Sequence, residues 1–322
     1  MSSNSKNIIN SSSIISFGNG IYAIDSGYIR KEFASIHFIV EKNKVAIVDT
    51  GTNHSVAKVL EALKTLNLRK HSVEWIFLTH IHLDHAGGAG NLMSIFANAK
   101  VAVHSKGLRH MVNPDRLWKA VIDVYGIEIA TKEYGQIIPI PEDRIVVVGE
   151  GDTLFLGERA FEFWNAPGHA NHHVFILDKK SRSIFTGDTF GVSYREMDSA
   201  KGAFAFISST PSQFDPHAAE NSIRRIMESD VSQVYLTHYS QLTNIQYTGN
   251  CLLQLVDDYV KIAEDNANTE DVSKNIEKSL IQLLCQRANC HGVTVSNKDL
   301  NDILAFDVKL NASGLATWLE RR

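Results

Sequence analysis

One short segment of the sequence contains four side chains that can bind a metal ion: His80, His82, Asp84 and His85. It follows an apolar run, residues 73–78, that is typical of a buried strand. In an extended chain His80 and His82 point to the same side, whereas Asp84 and His85 lie past the next turn and can face a neighbouring point. Imidazole nitrogens suit zinc, which keeps an open position in catalytic sites. The segment therefore predicts ligands for two adjacent metal ions.

Three further metal-binding side chains occur in the same local arrangement: an apolar strand, a small turn, and then the ligand. They are His169 after the run 161–165, Asp188 after 184–187, and His238 after 234–237. Sites in α/β sheets collect in the loops at the ends of strands, so these positions are suited to complete one site.

The elements that must position these ligands alternate between strands and helices, which indicates an α/β fold. Short strands are predicted over 21–48 and end at Asp49, and a helix follows with Val56, Val59 and Leu63 on one face. Further strands are predicted at 73–78, 101–103, 145–148, 160–164, 174–177, 183–185 and 231–236, and further helices at 88–97 and 216–227.

The predicted organisation has three parts. Residues 1–20 are rich in Ser and Asn and are predicted to be a flexible N-terminus; 21–240 form the catalytic domain, with an insertion at about 105–142; and 241–322 form a helical C-terminal extension. In this extension Leu252, Leu255, Val256 and Tyr259 recur at helical spacing. The pattern permits the extension to cover the pocket or to mediate a homodimer.

Composition narrows the classes of function and of partner. The formal net charge of −4 provides no general field for a phosphate backbone, so we expect a small-molecule substrate and no nucleic-acid partner. No apolar run reaches the length of a signal peptide or a membrane span, and the three cysteines cannot form a fully paired framework. A cytoplasmic protein without a membrane partner is the simplest prediction.

At roughly residues 20–240 the sequence resembles the metallo-β-lactamase superfamily, whose HxHxDH motif and later His, Asp and His occur here in that order. The resemblance implies a four-layer αββα sandwich with two metal ions, zinc first, with iron or manganese as alternatives. One ion would be held by His80, His82 and His169, the other by Asp84, His85 and His238, with Asp188 bridging them. Asp49 would orient the ligands.

Within the superfamily the chain looks most like the glyoxalase II and lactonase-like branch. This implies hydrolysis of a lactone or thioester by a hydroxide that bridges the two ions. Asp84 would pass a proton to the leaving group. Tyr194, six residues after Asp188, would contact the carbonyl or the leaving oxygen, although a packing role explains it equally well.

Three other functions remain open. The first is a mononuclear iron sulfur dioxygenase, which uses a related motif with one metal. The second is a phosphodiesterase or nuclease of the same superfamily, which the acidic balance disfavours. The third is a non-catalytic binding protein, which the intact ligand set disfavours. Members that reduce oxygen typically carry Glu at the position of His82 and an added flavodoxin domain, so hydrolysis ranks above redox chemistry.

Overall fold

The computed structural model describes residues 8–9 and 14–322. The chain divides into two compact units, one of residues 1–165 with 174–185 and one of residues 166–173 with 186–322.

The first unit is built on an eight-stranded sheet whose strands lie in chain order. Strands β1 to β5 pair antiparallel, whereas β5 to β8 pair parallel. The strands are β1 (Ile8–Ile9), β2 (Ile14–Gly18), β3 (Ile21–Asp25), β4 (Ser35–Glu41), β5 (Lys44–Val48), β6 (Val73–Phe77), β7 (Lys100–His104) and β8 (Ile145–Val148).

The parallel half of this sheet is connected by helices, as parallel strands require. They are α1 (Val56–Thr65), α2 (Leu83–Ala86), α3 (Ala89–Ile95), α4 (Ser105–Val112), α5 (Asp115–Tyr125) and α6 (Ile127–Tyr134). Helix α1 buries Val56, Val59 and Leu63, the face that its sequence period predicts. These side chains join Ile47 and Ile76 of β5 and β6 in the core of the unit. The core thereby fixes the ends of β5 and β6, which the metal-binding segments follow.

Four antiparallel strands of a second sheet follow β8, each paired with the next. They are β9 (Thr153–Leu156), β10 (Arg159–Asn165), β11 (Val174–Asp178) and β12 (Ser183–Gly187). Strand β10 alternates buried Phe161 and Phe163 with more exposed neighbours, the period of a strand with one covered face.

The second unit contains short strands and four helices. Helix α7 begins with Pro216 in its first turn and with the Asp215 side chain accepting a hydrogen bond from the Ala218 amide, a favourable N-cap. The elements are β13 (Val192–Ser193), β14 (Ala205–Phe206), α7 (Pro216–Glu228), β15 (Gln233–Leu236), β16 (Ser240–Leu242), α8 (Ile245–Asn266), α9 (Val272–His291) and α10 (Asn297–Glu320).

The predicted α/β class with two sheets and a helical C-terminal region is confirmed. The N-terminus differs from the prediction of flexibility over 1–20, because Ile14–Gly18 form β2 and pair with β3, with Ile14 buried in the core. Residues 1–7 and 10–13 lie outside the described residues. The predicted boundary at 240 stays a prediction, since α8 to α10 share a compact unit with residues 186–240. No helix in the described part of the chain is long and apolar enough to cross a membrane.

Candidate metal centre

In the first unit the buried carboxylate of Asp49 holds the start of the metal-binding segment. Strands β5 and β6 are parallel neighbours, with Val48 opposite Phe77, so the residues that follow them meet at one edge of the sheet. Asp49 Oδ1 accepts the Thr79 amide at 2.9 Å, and the Thr79 hydroxyl donates to Asp49 Oδ2, also at 2.9 Å. Asp49 has a φ of +56°, a left-handed conformation that Asp and Asn adopt more readily than most residues.

Asp49 also sets the orientation of His85. Nδ1 of His85 lies 2.8 Å from Asp49 Oδ2, and both side chains are buried. Because Nδ1 donates its proton to the carboxylate, Nε2 carries the lone pair that a metal ligand needs. Nε2 lies 3.7 Å from Oδ2 of Asp84, a separation longer than a hydrogen bond.

His80 and His82 form a close pair on the same segment. Nδ1 of His80 lies 3.1 Å from the Thr79 hydroxyl, and its Nε2 lies 2.9 Å from Nδ1 of His82. The His80 ring is also 4.0 Å, centre to centre, from that of His85. The segment therefore brings three imidazoles and Asp84 together, as the motif predicts.

Gly88 allows this segment to pack against the turn after β5. Its amide donates to the Gly51 carbonyl at 3.0 Å, and a Cβ at position 88 would meet the carbonyl oxygens of Thr52 and Thr50 at 2.9 and 3.0 Å. Backbone oxygens cannot move away as a flexible side chain can, so the close approach requires glycine.

In the second unit, the loop 166–173 presents His169. Gly168 has a φ of +130°, and a Cβ there would lie 2.4 Å from the Cα of Ala219, so a larger residue would displace the loop from α7. Nδ1 of His169 lies 2.9 Å from the Ser208 carbonyl, to which it donates, and the Thr210 hydroxyl donates to the His169 carbonyl at the same distance. These bonds leave the lone pair of His169 on Nε2.

Asp188 lies close to two imidazoles of this unit, and its distance to the first of them fits two ligands of one zinc ion, whereas the second distance is longer. Its Oδ2 is 3.6 Å from Nε2 of His169 and 3.9 Å from Nε2 of His238. Two ligands bound to one zinc ion at about 2.0–2.2 Å in tetrahedral geometry lie roughly 3.3–3.6 Å from each other. The Asp188 amide donates to Nε2 of His173 at 3.2 Å, which fixes the strand end from which the carboxylate projects.

The donor set fits a metal ion in its chemistry as well as in its spacing. In each unit the predicted ligands are His and Asp side chains, the nitrogen and oxygen donors that zinc binds in proteins. His85 and His169 each direct one ring nitrogen to a protein oxygen, the arrangement typical of metal-binding histidines. The groups of possible metal ligands among residues 8–9 and 14–322 include none of the three cysteines.

The family model for the metallo-beta-lactamase superfamily matches residues 29–238, more than half of the chain and the whole stretch that carries the ligands. The chain belongs to the metallo-beta-lactamase superfamily. Members of this superfamily with its fold are metal-dependent hydrolases, and the chain is therefore an enzyme of that class. The seven ligand assignments stay predictions for the loaded protein.

The relatives of this superfamily member include a protein from an archaeon and two from bacteria. The chain is 25% identical over 228 residues to the metallo-beta-lactamase fold-containing protein ST1585 of Sulfurisphaera tokodaii, covering 68% of this chain and 78% of that protein. It is 24% identical over 240 residues to the probable metallo-hydrolase YqjP of Bacillus subtilis, covering 66% and 69%. It is 26% identical over 170 residues to hydroxyacylglutathione hydrolase 1 of Vibrio vulnificus, covering 50% and 53%.

Solved structures confirm the metallo-beta-lactamase fold. The crystal structure of ST1585 matches with a TM-score of 0.62 at 20% identity, covering 92% of this chain and 98% of that one. The metallo-beta-lactamase family protein TTHA1429 of Thermus thermophilus matches with a TM-score of 0.63 at 15% identity, covering 94% and 93%. Because both matches cover more than nine tenths of the chain, the likeness of fold extends into the C-terminal helical region.

Tyr194 is buried in the second unit and bonds to the C-terminal helix α10. Its hydroxyl lies 3.0 and 2.9 Å from the two carboxylate oxygens of Asp307 and donates to that carboxylate. The side chain has no exposed surface. These contacts match the packing role weighed for Tyr194, and its role as a substrate contact stays a prediction.

Sequence reasoning missed the groups that orient the ligands from a distance in the chain. The Ser208 carbonyl contacts His169 across 39 residues, and no side-chain signal marks a backbone acceptor. His173 is another such group, because its bond is to a backbone amide 15 residues away in the chain. The structure places it in a loop, where it accepts from the Asp188 amide.

Proposed function

We propose that the chain is a dinuclear metal-dependent hydrolase that cleaves an ester-type bond, a lactone or a thioester, in a small molecule. The observation that carries this proposal is the way in which the ligands are prepared. His85 donates Nδ1–H to Asp49 and His169 donates Nδ1–H to a backbone carbonyl, and both rings keep Nε2 for coordination.

The proposed ligands divide into two sets that share one carboxylate. His80, His82 and His169 would hold one ion; Asp84, His85 and His238 would hold the other; Asp188 would bridge them. Zinc is the proposed metal, although a diiron chemotaxis sensor shares the fold with a TM-score of 0.53 and keeps iron as an alternative. When bound, the ions supply Lewis acidity and a water-derived nucleophile at neutral pH.

The side chains of the protein then have two tasks. Asp49 and the Ser208 carbonyl hold the imidazoles in one tautomer and one orientation throughout the reaction. Asp84, whose side chain is 19% exposed, carries a proton. Water adds to the acyl carbon, the bond from that carbon to the leaving atom breaks, and one proton of the water passes through Asp84 to the leaving atom. The products are an acid and an alcohol or thiol.

The decisive experiment compares metals and substrates side by side. The purified protein is loaded with zinc or with iron, its metal content is measured, and it is assayed on a lactone, a glutathione thioester, a phosphodiester and a β-lactam. Two zinc ions per chain with turnover of the lactone or thioester support the proposal. A single iron with oxygen consumption on a persulfide, or turnover of the phosphodiester alone, would overturn it.

Substitution of Asp188 tests the bridging role. We expect Asp188→Ala to lose turnover by more than about 10³-fold and to retain less metal, because both ions would lose the carboxylate that they share. Metal analysis and steady-state kinetics measure the two effects. Asp257→Ala, which removes an exposed carboxylate from α8, is the matched control and should change neither. An Asp188→Ala enzyme with reduced metal but full activity would refute the bridge.

A further inference from the structure

In the second unit, the peptide group that orients His169 is held from its other end by the C-terminal helix α10. Nδ1 of His169 donates to the Ser208 carbonyl at 2.9 Å. The Ser209 amide, which belongs to the same peptide group, donates to Oδ1 of Asn311 at 2.7 Å. A trans peptide is planar, and its C=O and N–H point in opposite directions. The bond from the Ser209 amide to Asn311 therefore directs the Ser208 carbonyl towards His169.

Asn311 holds the loop 207–210 through both ends of its side-chain amide. Besides the bond that Oδ1 accepts from Ser209, Nδ2 donates to the Ile207 carbonyl at 2.9 Å. Asn311 and Ser209 are each 1% exposed. A side-chain amide offers an acceptor and a donor without carrying a charge. One neutral side chain therefore fixes the residues on both sides of Ser208.

The position of Asn311 in α10 is unusual for a residue that serves packing alone. The helix runs from Asn297 to Glu320, and Val308, Ala312 and Leu315 near Asn311 are buried apolar residues. Asn is a poorer helix former than Ala or Leu, and a buried amide is unfavourable unless it is hydrogen-bonded. The bonds to the loop 207–210 therefore offset a cost that an apolar residue at this position would not carry.

A second contact brings α10 close to the same loop. A Cβ on Gly314 would lie 2.4 Å from the carbonyl oxygen of Thr210 and 3.1 Å from that of Ser209. Asn311 and Gly314 are three residues apart and so share one face of the helix. The Thr210 hydroxyl in turn donates to the His169 carbonyl at 2.9 Å. The loop 207–210 therefore contacts α10 and also bonds to both the ring and the main chain of His169.

We propose that Asn311 is a positioning residue for metal binding, which acts through the Ser208–Ser209 peptide to keep the His169 proton on Nδ1 and the lone pair on Nε2. This inference rests on the proposed function, in which His169 binds one of the ions. A peptide whose N–H is bonded to an acceptor is polarised, so its C=O accepts a hydrogen bond more strongly. Loss of the Asn311 side chain therefore weakens the bond that prepares His169 and leaves its direction less fixed.

The test separates the positioning of His169 from a general contribution to folding. Asn311→Ala removes the side-chain bonds to the loop and introduces a good helix former. Gly314→Ala is a second variant, which forces the loop away from α10 while Asn311 stays in place. Asp307→Asn is the matched control, because Asp307 is also buried in α10 and its carboxylate accepts from the Tyr194 hydroxyl. Thermal unfolding is measured for every protein.

The first readout is the tautomer of His169 in the metal-free protein. It is measured by nitrogen NMR of isotope-labelled histidine at about pH 9, well above the ordinary imidazole pKa, and the signal is assigned by its loss in His169→Gln. We expect the proton on Nδ1 in the wild type and in Asp307→Asn, and a large population with the proton on Nε2 in the other two variants. The same tautomer in the wild type and in the folded variants would overturn the proposal.

The second readout is zinc affinity, measured by competition with a chelator. Asn311→Ala and Gly314→Ala should bind zinc about tenfold more weakly than the wild type, the lower end of the effect of losing a partner of a metal ligand, because Asn311 acts through one intervening peptide. Asp307→Asn should bind zinc as the wild type does. Unchanged zinc affinity in the folded variants would refute the role of Asn311.

The two readouts do not depend on turnover. If the zinc-loaded wild type hydrolyses neither a lactone nor a thioester, the proposed function fails, whereas the His169 tautomer and the zinc affinity still decide the role of Asn311. If Asn311→Ala folds poorly, Gly314→Ala gives an independent result, because it changes the loop 207–210 without removing a polar side chain.

Discussion

Two buried polar clusters in the first unit handle charge in opposite ways. Around Arg159, the guanidinium donates from Nε to Asp178 Oδ1 at 3.0 Å and from Nη2 to Oδ2, and Nη1 donates to the Asn19 carbonyl at 2.7 Å. Around Asp49, the carboxylate bonds to Thr79 and to one side of His85. The charges of the first cluster are paired with each other, whereas the second cluster leads to Nε2 of His85, which lies 3.7 Å from Oδ2 of Asp84.

The difference separates a cluster that stabilises the fold from one that prepares a reaction. In the Arg159 cluster a bidentate pair neutralises two buried charges with short bonds, which leaves the guanidinium no geometry for a ligand. In the Asp49 cluster the bonds fix orientation and leave ligand atoms at the spacing of a cation. Burial alone therefore does not identify a site. What identifies it is that the hydrogen-bonded side chains also place ligand atoms at the spacing of a cation.

The largest expected effect on stability comes from breaking the Arg159 cluster. Arg159→Ala leaves the Asp178 carboxylate buried without its partner, so the free energy of unfolding should fall by about 3–5 kcal/mol. Urea unfolding measures the loss. Replacing Lys42 of the exposed pair with Glu158 by Ala is the control and should change stability by less than about 1 kcal/mol. If Arg159→Ala changed the free energy of unfolding as little as the Lys42 control, the buried pair would stabilise the fold no more than the exposed one, and the prediction would be wrong.

The next effect concerns His37, a buried imidazole in β4 that stays neutral. Burial lowers its pKa to about 4, although Asp49 partly opposes this. As the pH falls from about 6.5 to about 4, the unfolded chain binds a proton at His37 that the folded chain does not bind. The free energy of unfolding therefore decreases as the pH falls. The shift corresponds to about 3 kcal/mol across this window. Urea unfolding at both ends of the window should show that His37→Phe loses less stability than the wild type; equal losses would contradict it.

A smaller effect is expected for Asp49→Asn, which tests the second cluster directly. Asn also tolerates a positive φ, so the backbone at position 49 should be preserved and stability should change little. The weaker bond to His85 should reduce zinc affinity by about 10–100-fold, the usual effect of losing a partner of a metal ligand. Zinc titration against a chelator measures this. A loss of stability with unchanged zinc affinity would move Asp49 into the class of Arg159.

The smallest effect is expected for Tyr194→Phe. The Tyr194 hydroxyl donates to Asp307, so its removal should cost about 1.5 kcal/mol of stability and leave kcat within about twofold. Thermal unfolding measures the stability, and kinetics on whichever of the lactone and the thioester is turned over measure kcat. A large loss of kcat with unchanged stability would instead support the substrate contact predicted from the sequence.

Prediction from the sequence succeeded for the strands and the motif that each occupy one continuous segment of the chain. The apolar runs that became β6 and β8 and the motif at 80–85 were recognisable because each is continuous in the chain. Strand β2 was missed because its neighbours are rich in Ser and Asn, although Ile14 is buried. The hydrogen bond between Tyr28 and Tyr134 has no local signal, because the two residues lie 106 positions apart and meet only when α6 packs near the loop after β3.

The segment between β7 and β8 can change in length during evolution while the sheet keeps its register. These strands pair parallel, from Val101 opposite Ile145 to His104 opposite Val148, and the three helices α4 to α6 connect them. A connection that begins and ends on two registered strands can be exchanged for a longer or shorter one while the sheet keeps its alignment. Grafting this segment between homologues should therefore leave the sheet register and the metal ligands unchanged.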